Sequence, residues 1–251
     1  MPTKFLILNY HRLIGTAACQ HHSFDVQFDQ FKLQIARLKQ LNIHFVSLEK
    51  PLYSQTHLNI ALTFDDGTLS DLKYAMPFLL EQGIPASFFI SPHAPDLEME
   101  WNQVREISNA GFTIGSHGLT HKSLAAIGTE ERFYEMSESR KILEQEISKP
   151  VSLFAFPYGH YNSACLFAAK LAGYTAVFTT RFDYNAVSDG YIFHRWSVKH
   201  HTSIREFDNV LNSRSLTVLS KKTRSAASYV VSKIKSQGFK EGFGKLNTGN
   251  I

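Results

Sequence analysis

The chain has 251 residues, of which 43% are hydrophobic and 13% aromatic, and its formal net charge is +4. This composition can supply a large apolar core, which excludes an intrinsically disordered chain. Apolar runs reach only a few residues, whereas a membrane-spanning helix needs about 20, so a transmembrane protein is excluded as well. The two cysteines, Cys19 and Cys165, predict neither a disulfide framework nor a cysteine-based metal site.

Strand and helix signals alternate along the chain without an internal repeat. The predicted strands cover residues 4–9, 43–48, 59–64, 86–90, 112–115, 152–156, 174–179 and 191–198. The predicted helices cover 28–41, 70–82, 101–110, a long segment that begins at 129, 162–173 and 203–211. Strands that alternate with helices of this length imply parallel pairing and right-handed crossovers. About seven such units favour an α/β fold of the barrel type over an open sheet.

The apolar run 5–8 is too short for the core of a secretion signal, and no small-residue cleavage site follows it. The sequence therefore predicts a soluble, cytoplasmic protein. We expect a single domain over residues 1–251, in which 1–58 is an N-terminal segment and 214–251 a basic helical tail.

The charge is spread unevenly along the chain. Residues 214–251 hold eight basic residues and one acidic residue, a net charge of +7, so residues 1–213 carry about −3. Apolar residues in this tail recur at intervals of three and four, which predicts an amphipathic helix. Its basic side either faces solvent or contacts an anionic membrane as a peripheral partner, and the sequence leaves both alternatives open. We expect no nucleic-acid partner.

In parallel α/β folds the functional side chains gather at the carboxyl ends of the strands. Two carboxylates follow the predicted strand 59–64, and two histidines follow the predicted strand 112–115. The candidate side chains at this edge are Asp65, Asp66, Ser116, His117, His121, Tyr158, His194 and Arg195.

This set of residue types is typical of a metal hydrolase. His117 and His121 are four residues apart, so one turn of helix would direct both imidazoles toward a single ion. One anionic ligand would complete a facial set that leaves coordination positions open. Either Asp65 or Asp66 could supply that ligand, and the other would then be free as a base toward a water whose pKa the metal lowers to about 7.

Three segments resemble the motifs of a known family. Residues 63–67 (Thr-Phe-Asp-Asp-Gly), 116–121 (Ser-His-Gly-Leu-Thr-His) and 154–159 (Phe-Ala-Phe-Pro-Tyr-Gly) closely resemble the first three motifs of the polysaccharide deacetylases, carbohydrate esterase family four. They occur in the family's order and spacing, and the resemblance covers residues 59–200. Residues 9–12 (Asn-Tyr-His-Arg) resemble the N-terminal segment of the bacterial exopolysaccharide-type branch. The resemblance implies a distorted (β/α) barrel with fewer than eight strands, in agreement with about seven units.

The resemblance also implies a role for each matching residue. Asp65 would be the general base, and Asp66, His117 and His121 would bind a divalent metal, commonly zinc. The backbone N–H of Tyr158 would stabilise the oxyanion. The implied reaction removes an acetyl group, N-linked or O-linked, from an N-acetylated sugar or glycan in surface-glycan biosynthesis.

Two positions depart from the family's pattern. In the family, an arginine usually opens the third motif and pairs with the base, and that position is Ala155 here. Arg195, at a nearby strand end, is the candidate to supply the charge instead. The family's histidine general acid aligns only loosely with His194, because Arg195 could equally align there. We therefore predict His194 and Arg195 as catalytic residues, and His11, after the first strand, as a residue that could line the site.

Two rival functions remain open at this stage. One is a deformylase or amidase that acts on another C–N bond on the same scaffold. The other is a catalytically weak glycan-binding protein that has kept the metal and lost the general acid. Acetate release from N-acetylated sugars, with and without a chelator, would distinguish the three functions.

Overall fold

The structure, a computed structural model, describes residues 4–15, 22–50, 53–54, 57–186 and 190–212. Backbone contacts divide the chain into two units, Met1–Phe207 and Asp208–Ile251. The basic tail helix predicted over 214–251 lies outside the described residues. Among the helices of the described part, none combines the length and the hydropathy needed to cross a bilayer.

Most strands of the described part are short and buried. They are β1 Lys4–Tyr10, β2 Arg12–Ile14, β3 Asp25–Gln27, β4 His44–Phe45, β5 Asn59–Asp65, β6 Ala86–Ile90, β7 Thr113–Ser116, β8 Leu153–Ala155, β9 Ala176–Thr179, β10 Asn185–Ala186, β11 Ile192–His194 and β12 Trp196–Ser197.

The helices alternate with these strands as the sequence predicts. They are α1 Phe28–Gln40, α2 Met76–Gln82, α3 Trp101–Asn109, α4 Thr129–Ile147, α5 Ser163–Leu171 and α6 Ile204–Asn212. The Asn162 side chain caps α5 by accepting a hydrogen bond from Cys165 N at 3.0 Å. Gly83 ends α2 with a φ of +65°, a left-handed conformation that glycine adopts without steric cost.

Seven parallel strands form the wall of a barrel. Their order is β1, β5, β6, β7, β8, β9, β11, and β10 pairs with β1 in the antiparallel sense. The two edges meet because β11 pairs with β9 while β12, one residue further along the chain, pairs with β1. The predicted distorted (β/α) barrel with about seven strands is confirmed.

The barrel has an apolar interior and a polar upper layer. Its core consists of Phe5, Ile7, Val46, Ala61, Phe89, Leu153, Ala155, Ala176 and Phe178, and Phe193 packs against it. Side chains alternate between the two faces of a strand, so the next inward positions on β1 and β5 are Asn9, Thr63 and Asp65. These polar residues lie toward the carboxyl ends of the strands, which places the candidate site at that end of the barrel.

Three predicted elements differ from the structure. The strand predicted over 43–48 is reduced to His44–Phe45. The helix predicted from residue 70 begins with a wider π-helical turn, Asp71–Ala75, before α2. The strand predicted over 191–198 is interrupted at Arg195, where the chain leaves β9 and joins β1.

Candidate active site

Asp65, the last residue of β5, lies at the top of the barrel interior and is 1% exposed. Arg195 donates to both of its oxygens, with Nη1 2.7 Å from Oδ1 and Nη2 2.8 Å from Oδ2. Asn9 Nδ2 donates to Oδ2 at 3.0 Å. A bidentate guanidinium and an amide therefore fix the orientation of this carboxylate.

Arg195 reaches Asp65 because of the interruption between β11 and β12. It is fully buried, its Nε donates to the carbonyl oxygen of Thr179 at 3.3 Å, and its guanidinium carbon lies 5.3 Å from the centre of the Phe89 ring. Ala155 is also buried in the interior and carries no charge. The cation predicted to replace the missing arginine at position 155 thus reaches the carboxylate from another strand.

These neighbours control the ionisation of Asp65. Burial alone raises the pKa of Asp65, but the charge and hydrogen bonds of Arg195, together with His117, outweigh burial and hold that pKa well below its ordinary value. Asp65 is consequently an ionised hydrogen-bond acceptor at any pH near neutrality.

Asp66, His117 and His121 converge beside Asp65. Asp66 Oδ1 lies 3.5 Å from His117 Nε2 and 3.3 Å from His121 Nε2, and the three potential ligand atoms lie within 4.8 Å of one another. His117 Nδ1 lies 2.8 Å from the carbonyl oxygen of Ala155, so Nδ1 carries the proton and Nε2 keeps its lone pair toward Asp66. Burial lowers the pKa of His117, which favours this neutral form. One carboxylate and two imidazoles are donors that fit a divalent metal.

The backbone that brings these ligands together is not helical. Residues 117–121 form a loop, so the one-turn helix predicted for the two histidines is wrong. His121 has a φ of +59° and Asp66 a φ of +78°, a left-handed region that non-glycine residues rarely adopt. Such conformations persist only where the surrounding structure holds them, and they cluster at functional sites.

An open cleft of about 410 Å³ lies beside the potential ligand His121. It is lined by Pro95, Asp96, Thr120, His121, Lys122 and Tyr158. Tyr158, which follows the carboxyl end of β8, has a φ of +58° and is 58% exposed, and its ring lies 4.8 Å from the His121 ring. The structure therefore brings Tyr158 to the site, with its ring at the mouth of the cleft.

The structure does not bring His194 to this group. Phe193 packs against the barrel core and Arg195 contacts Asp65, so the residue between them lies on the opposite face of the strand. There His194 Nδ1 lies 2.8 Å from the hydroxyl of Thr179. The prediction of His194 as the general acid has no geometric support.

His11 lies near the candidate site. It directly follows β1, and its imidazole interacts electrostatically with Asp65, Asp66, His121 and Arg195. The ring stacks on Phe24 at 4.4 Å, and its buried Nδ1 has no hydrogen-bond partner among the described residues. Burial lowers the pKa of His11. The sequence predicts His11 as a residue that could line the site because it follows the first strand, and the structure agrees with that position.

Comparison with known proteins identifies the family. Residues 54–177 match the sequence model described as polysaccharide deacetylase. The chain belongs to the polysaccharide deacetylase family, and the resemblance of its three motifs is thereby confirmed.

Two curated relatives illustrate the likeness in sequence. YxkH of Bacillus subtilis (strain 168), a polysaccharide deacetylase homologue, is 28% identical over 193 residues, which are 71% of this chain and 65% of that protein. A peptidoglycan-N-acetylglucosamine deacetylase of Bacillus cereus is 30% identical over 103 residues, which are 40% of this chain and 36% of that protein. The chain thus spans less than two thirds of the length of either relative.

Solved structures share the fold. The Streptococcus pyogenes deacetylase PplD, determined in complex with acetate, matches with a TM-score of 0.73 and 22% identity over 85% of this chain and 99% of that chain. IcaB of Ammonifex degensii matches with a TM-score of 0.69 and 20% identity over 83% of this chain and 95% of that chain. These likenesses agree with the barrel described above.

Proposed function

We propose that this protein is a metal-dependent hydrolase that removes the acetyl group from an N-acetylated sugar of a glycan. The observation that carries the proposal is the joint position of two groups at one end of the barrel. An ionised, Arg195-paired Asp65 lies directly beside the Asp66, His117 and His121 donor set. The family membership and the relative named for peptidoglycan N-acetylglucosamine support an amide of an amino sugar as substrate.

Asp66, His117 and His121 would hold the metal, and their mixed carboxylate and imidazole donors suit zinc. A metal bound there supplies Lewis acidity toward an acetyl carbonyl and a lowered pKa for water. Asp65 accepts the proton of the attacking water, since its carboxylate remains ionised and Arg195 and Asn9 fix its orientation. Arg195 holds both oxygens of the Asp65 carboxylate, so it orients the base.

His11 is the proposed general acid. Amide hydrolysis requires a proton on the leaving nitrogen, and His11 is the imidazole near Asp65 that the donor set does not use. Its Nδ1 is buried and makes no hydrogen bond to any described residue. Burial lowers the pKa of the ring, and the charges of Asp65 and Asp66 act in the opposite direction by favouring its protonated form. Stacking on Phe24 fixes the plane of the ring.

Tyr158 is assigned two roles in substrate binding. Its peptide N–H, which follows the carboxyl end of β8, would donate to the developing oxyanion. Its exposed ring at the mouth of the cleft offers an apolar face to a pyranose ring. The open cleft admits a sugar that belongs to a chain.

Acetate release from N-acetylglucosamine oligosaccharides, with zinc and with a chelator, tests this function. We expect turnover with zinc and none with the chelator. Asp66→Ala should abolish both zinc binding and turnover, whereas Asp29→Asn, which changes an exposed carboxylate paired with Lys32, should alter neither. Faster release of formate, or of acetate from amides that lack a sugar, would overturn the proposal in favour of a deformylase or amidase. Zinc binding without any turnover would favour a glycan-binding protein.

The cytoplasmic location and the membrane contact of the basic tail stay predictions. Co-sedimentation with anionic vesicles at low and high salt tests the second of them. Binding at low salt that disappears at high salt would support membrane contact, and no binding at low salt would support a solvated tail.

A further inference from the structure

One face of α4 is buried and polar, although a helix usually turns an apolar face to the protein core. Arg132, Glu135 and Ser139 lie three and four residues apart on this face and are 6%, 2% and 0% exposed. We call these three residues the α4 polar face. All of them bond to the segment that contains His117 and His121 or directly follows it.

Glu135 makes the most contacts with the loop between the two histidines. Its Oε2 accepts hydrogen bonds from the backbone N–H groups of Leu119 and Thr120, both at 2.9 Å. Its Oε1 accepts from the Thr120 hydroxyl at 2.5 Å. A single buried carboxylate thus satisfies three donors on the two residues that directly precede His121.

The other members of the α4 polar face hold the loop on either side of this point. The Ser139 hydroxyl donates to the carbonyl oxygen of Gly118 at 3.0 Å and lies 2.7 Å from the Ser116 hydroxyl. Arg132 donates to the carbonyl oxygens of Leu124, at 2.8 Å, and Ile127, at 2.5 Å. The helix therefore bonds to the loop before His117 and after His121 as well as between them.

The loop needs such support because its backbone is strained. His121 has a φ of +59°, and the carbonyl oxygen of Leu119 accepts a hydrogen bond from His93 N at 2.8 Å. A histidine keeps a left-handed conformation only where its neighbours hold it there. The two residues before it are fixed by Glu135, so Glu135 determines where the imidazole of His121 lies relative to Asp66.

We propose that Glu135 is a positioning residue for metal binding. It holds residues 119–120 so that His121 Nε2 faces Asp66 Oδ1. This inference rests on the metal site of the proposed function. Metal affinity then depends on the Glu135 carboxylate, which is not one of the three donor side chains.

The test measures zinc affinity by competition with a chelator, together with the melting temperature of the metal-free protein. Glu135→Gln keeps the side-chain shape but loses the charge and one acceptor. We expect its zinc dissociation constant to rise about 10- to 100-fold. Glu138→Gln is the matched control, since Glu138 lies on the same helix and pairs with the exposed Lys141. We expect wild-type affinity for the control.

A second pair of variants keeps the inference falsifiable if Glu135→Gln does not fold. Thr120→Val removes only the hydroxyl bond to Oε1 and should weaken zinc binding, whereas Thr120→Ser keeps the hydroxyl and should restore it. A purely structural role would lower the melting temperature and leave the affinity of the folded protein unchanged, and this result would overturn the inference. Wild-type protein that binds zinc no better than Asp66→Ala would overturn the metal site itself, and the inference with it.

Discussion

At the scale of single residues, the site depends on charges that come from distant parts of the chain. Asp65 and Arg195 are 130 residues apart, and both are almost completely buried. Burying such a pair is favourable only when the geometry is good and the remaining donors are satisfied. Asn9 and the main chain of Thr179 complete those bonds, so the pair can orient a base without exposing it to solvent.

The first prediction concerns Arg195→Lys. Lysine keeps the charge but cannot bind both carboxylate oxygens in parallel, so Asp65 should lose part of its stabilisation as an anion. The pKa of Asp65, which Arg195 now lowers, should rise, and the acid limb of the pH profile of kcat/KM should move to higher pH. Arg181→Lys, at an exposed arginine near Asp183, should leave the profile unchanged. An unchanged acid limb in Arg195→Lys would contradict the assigned role.

The second prediction compares two histidines. His11→Gln should lower kcat for an N-acetyl substrate by about 10²- to 10⁴-fold, because the leaving nitrogen is no longer protonated. The loss should be much smaller for an aryl acetate, whose leaving group departs without a proton. Zinc content, measured by elemental analysis, should stay at the wild-type value.

His194→Gln is the control for His11→Gln, because His194 bonds to Thr179 on the opposite face of the strand. We expect its activity within a few-fold of wild type on both substrates. A larger loss in His194→Gln than in His11→Gln would reverse the two assignments.

The sequence revealed the metal-site residues better than the proton donor. Asp65, Asp66, His117 and His121 follow strands in short motifs, and the structure brings all four together. The choice between His194 and Arg195 depended on which side of the strand each residue faces. The strand is interrupted at Arg195, and this interruption turns Arg195 toward Asp65. It arises because β12 pairs with β1, so no local sequence pattern predicts it.

At the scale of elements, the loop that follows β5 contains a buried acid without an evident role in the reaction. Asp71 opens the π-helical turn and is completely buried. Its Oδ2 has no hydrogen-bond partner among the described residues. Burial, with a contribution from the charge of Asp66, raises its pKa well above the ordinary value. A helix of ordinary pitch was predicted here from periodicity, which does not register the wider turn that this buried acid begins.

The third prediction is that Asp71 makes stability fall as pH rises. Its pKa is higher in the folded than in the unfolded chain, so its contribution is fully present below about pH 4 and is lost as pH rises through the folded pKa. Asparagine does not titrate. The unfolding free energy of Asp71→Asn minus that of wild type should therefore increase between pH 4.5 and pH 8. Urea unfolding with a chelator present measures this difference, and parallel curves for the two proteins would contradict the prediction.

At the scale of the whole molecule, the barrel is closed by few bonds. β10 and β11 lie at opposite edges of the sheet, and the side chain of Asn185 connects them. Its Nδ2 donates to the carbonyl oxygen of His194 at 2.8 Å, and its Oδ1 accepts from His194 N at 2.7 Å. The strand count and the barrel class followed from the alternation of elements. The closure did not, because it depends on the pairing of β12 with β1 and on the side chain of Asn185, and not on a run of residues with a period.

The last prediction is that Asn185→Ala weakens the connection between β10 and β11. Two part-buried main-chain groups of His194 would lose these hydrogen bonds, at a cost of about 1–3 kcal/mol each, so we expect the unfolding free energy to fall by about 2–6 kcal/mol. Arg195 directly follows the freed segment, so turnover of the folded protein should fall as well.

Asn185→Asp keeps the shape of the side chain but cannot donate to the carbonyl oxygen. Its unfolding free energy should lie between those of Asn185→Ala and wild type. Asn109→Ala, at an exposed asparagine of α3, is the control. Chemical unfolding followed by circular dichroism measures the series, and an Asn185→Ala variant as stable as Asn109→Ala would show that strand pairing alone closes the barrel.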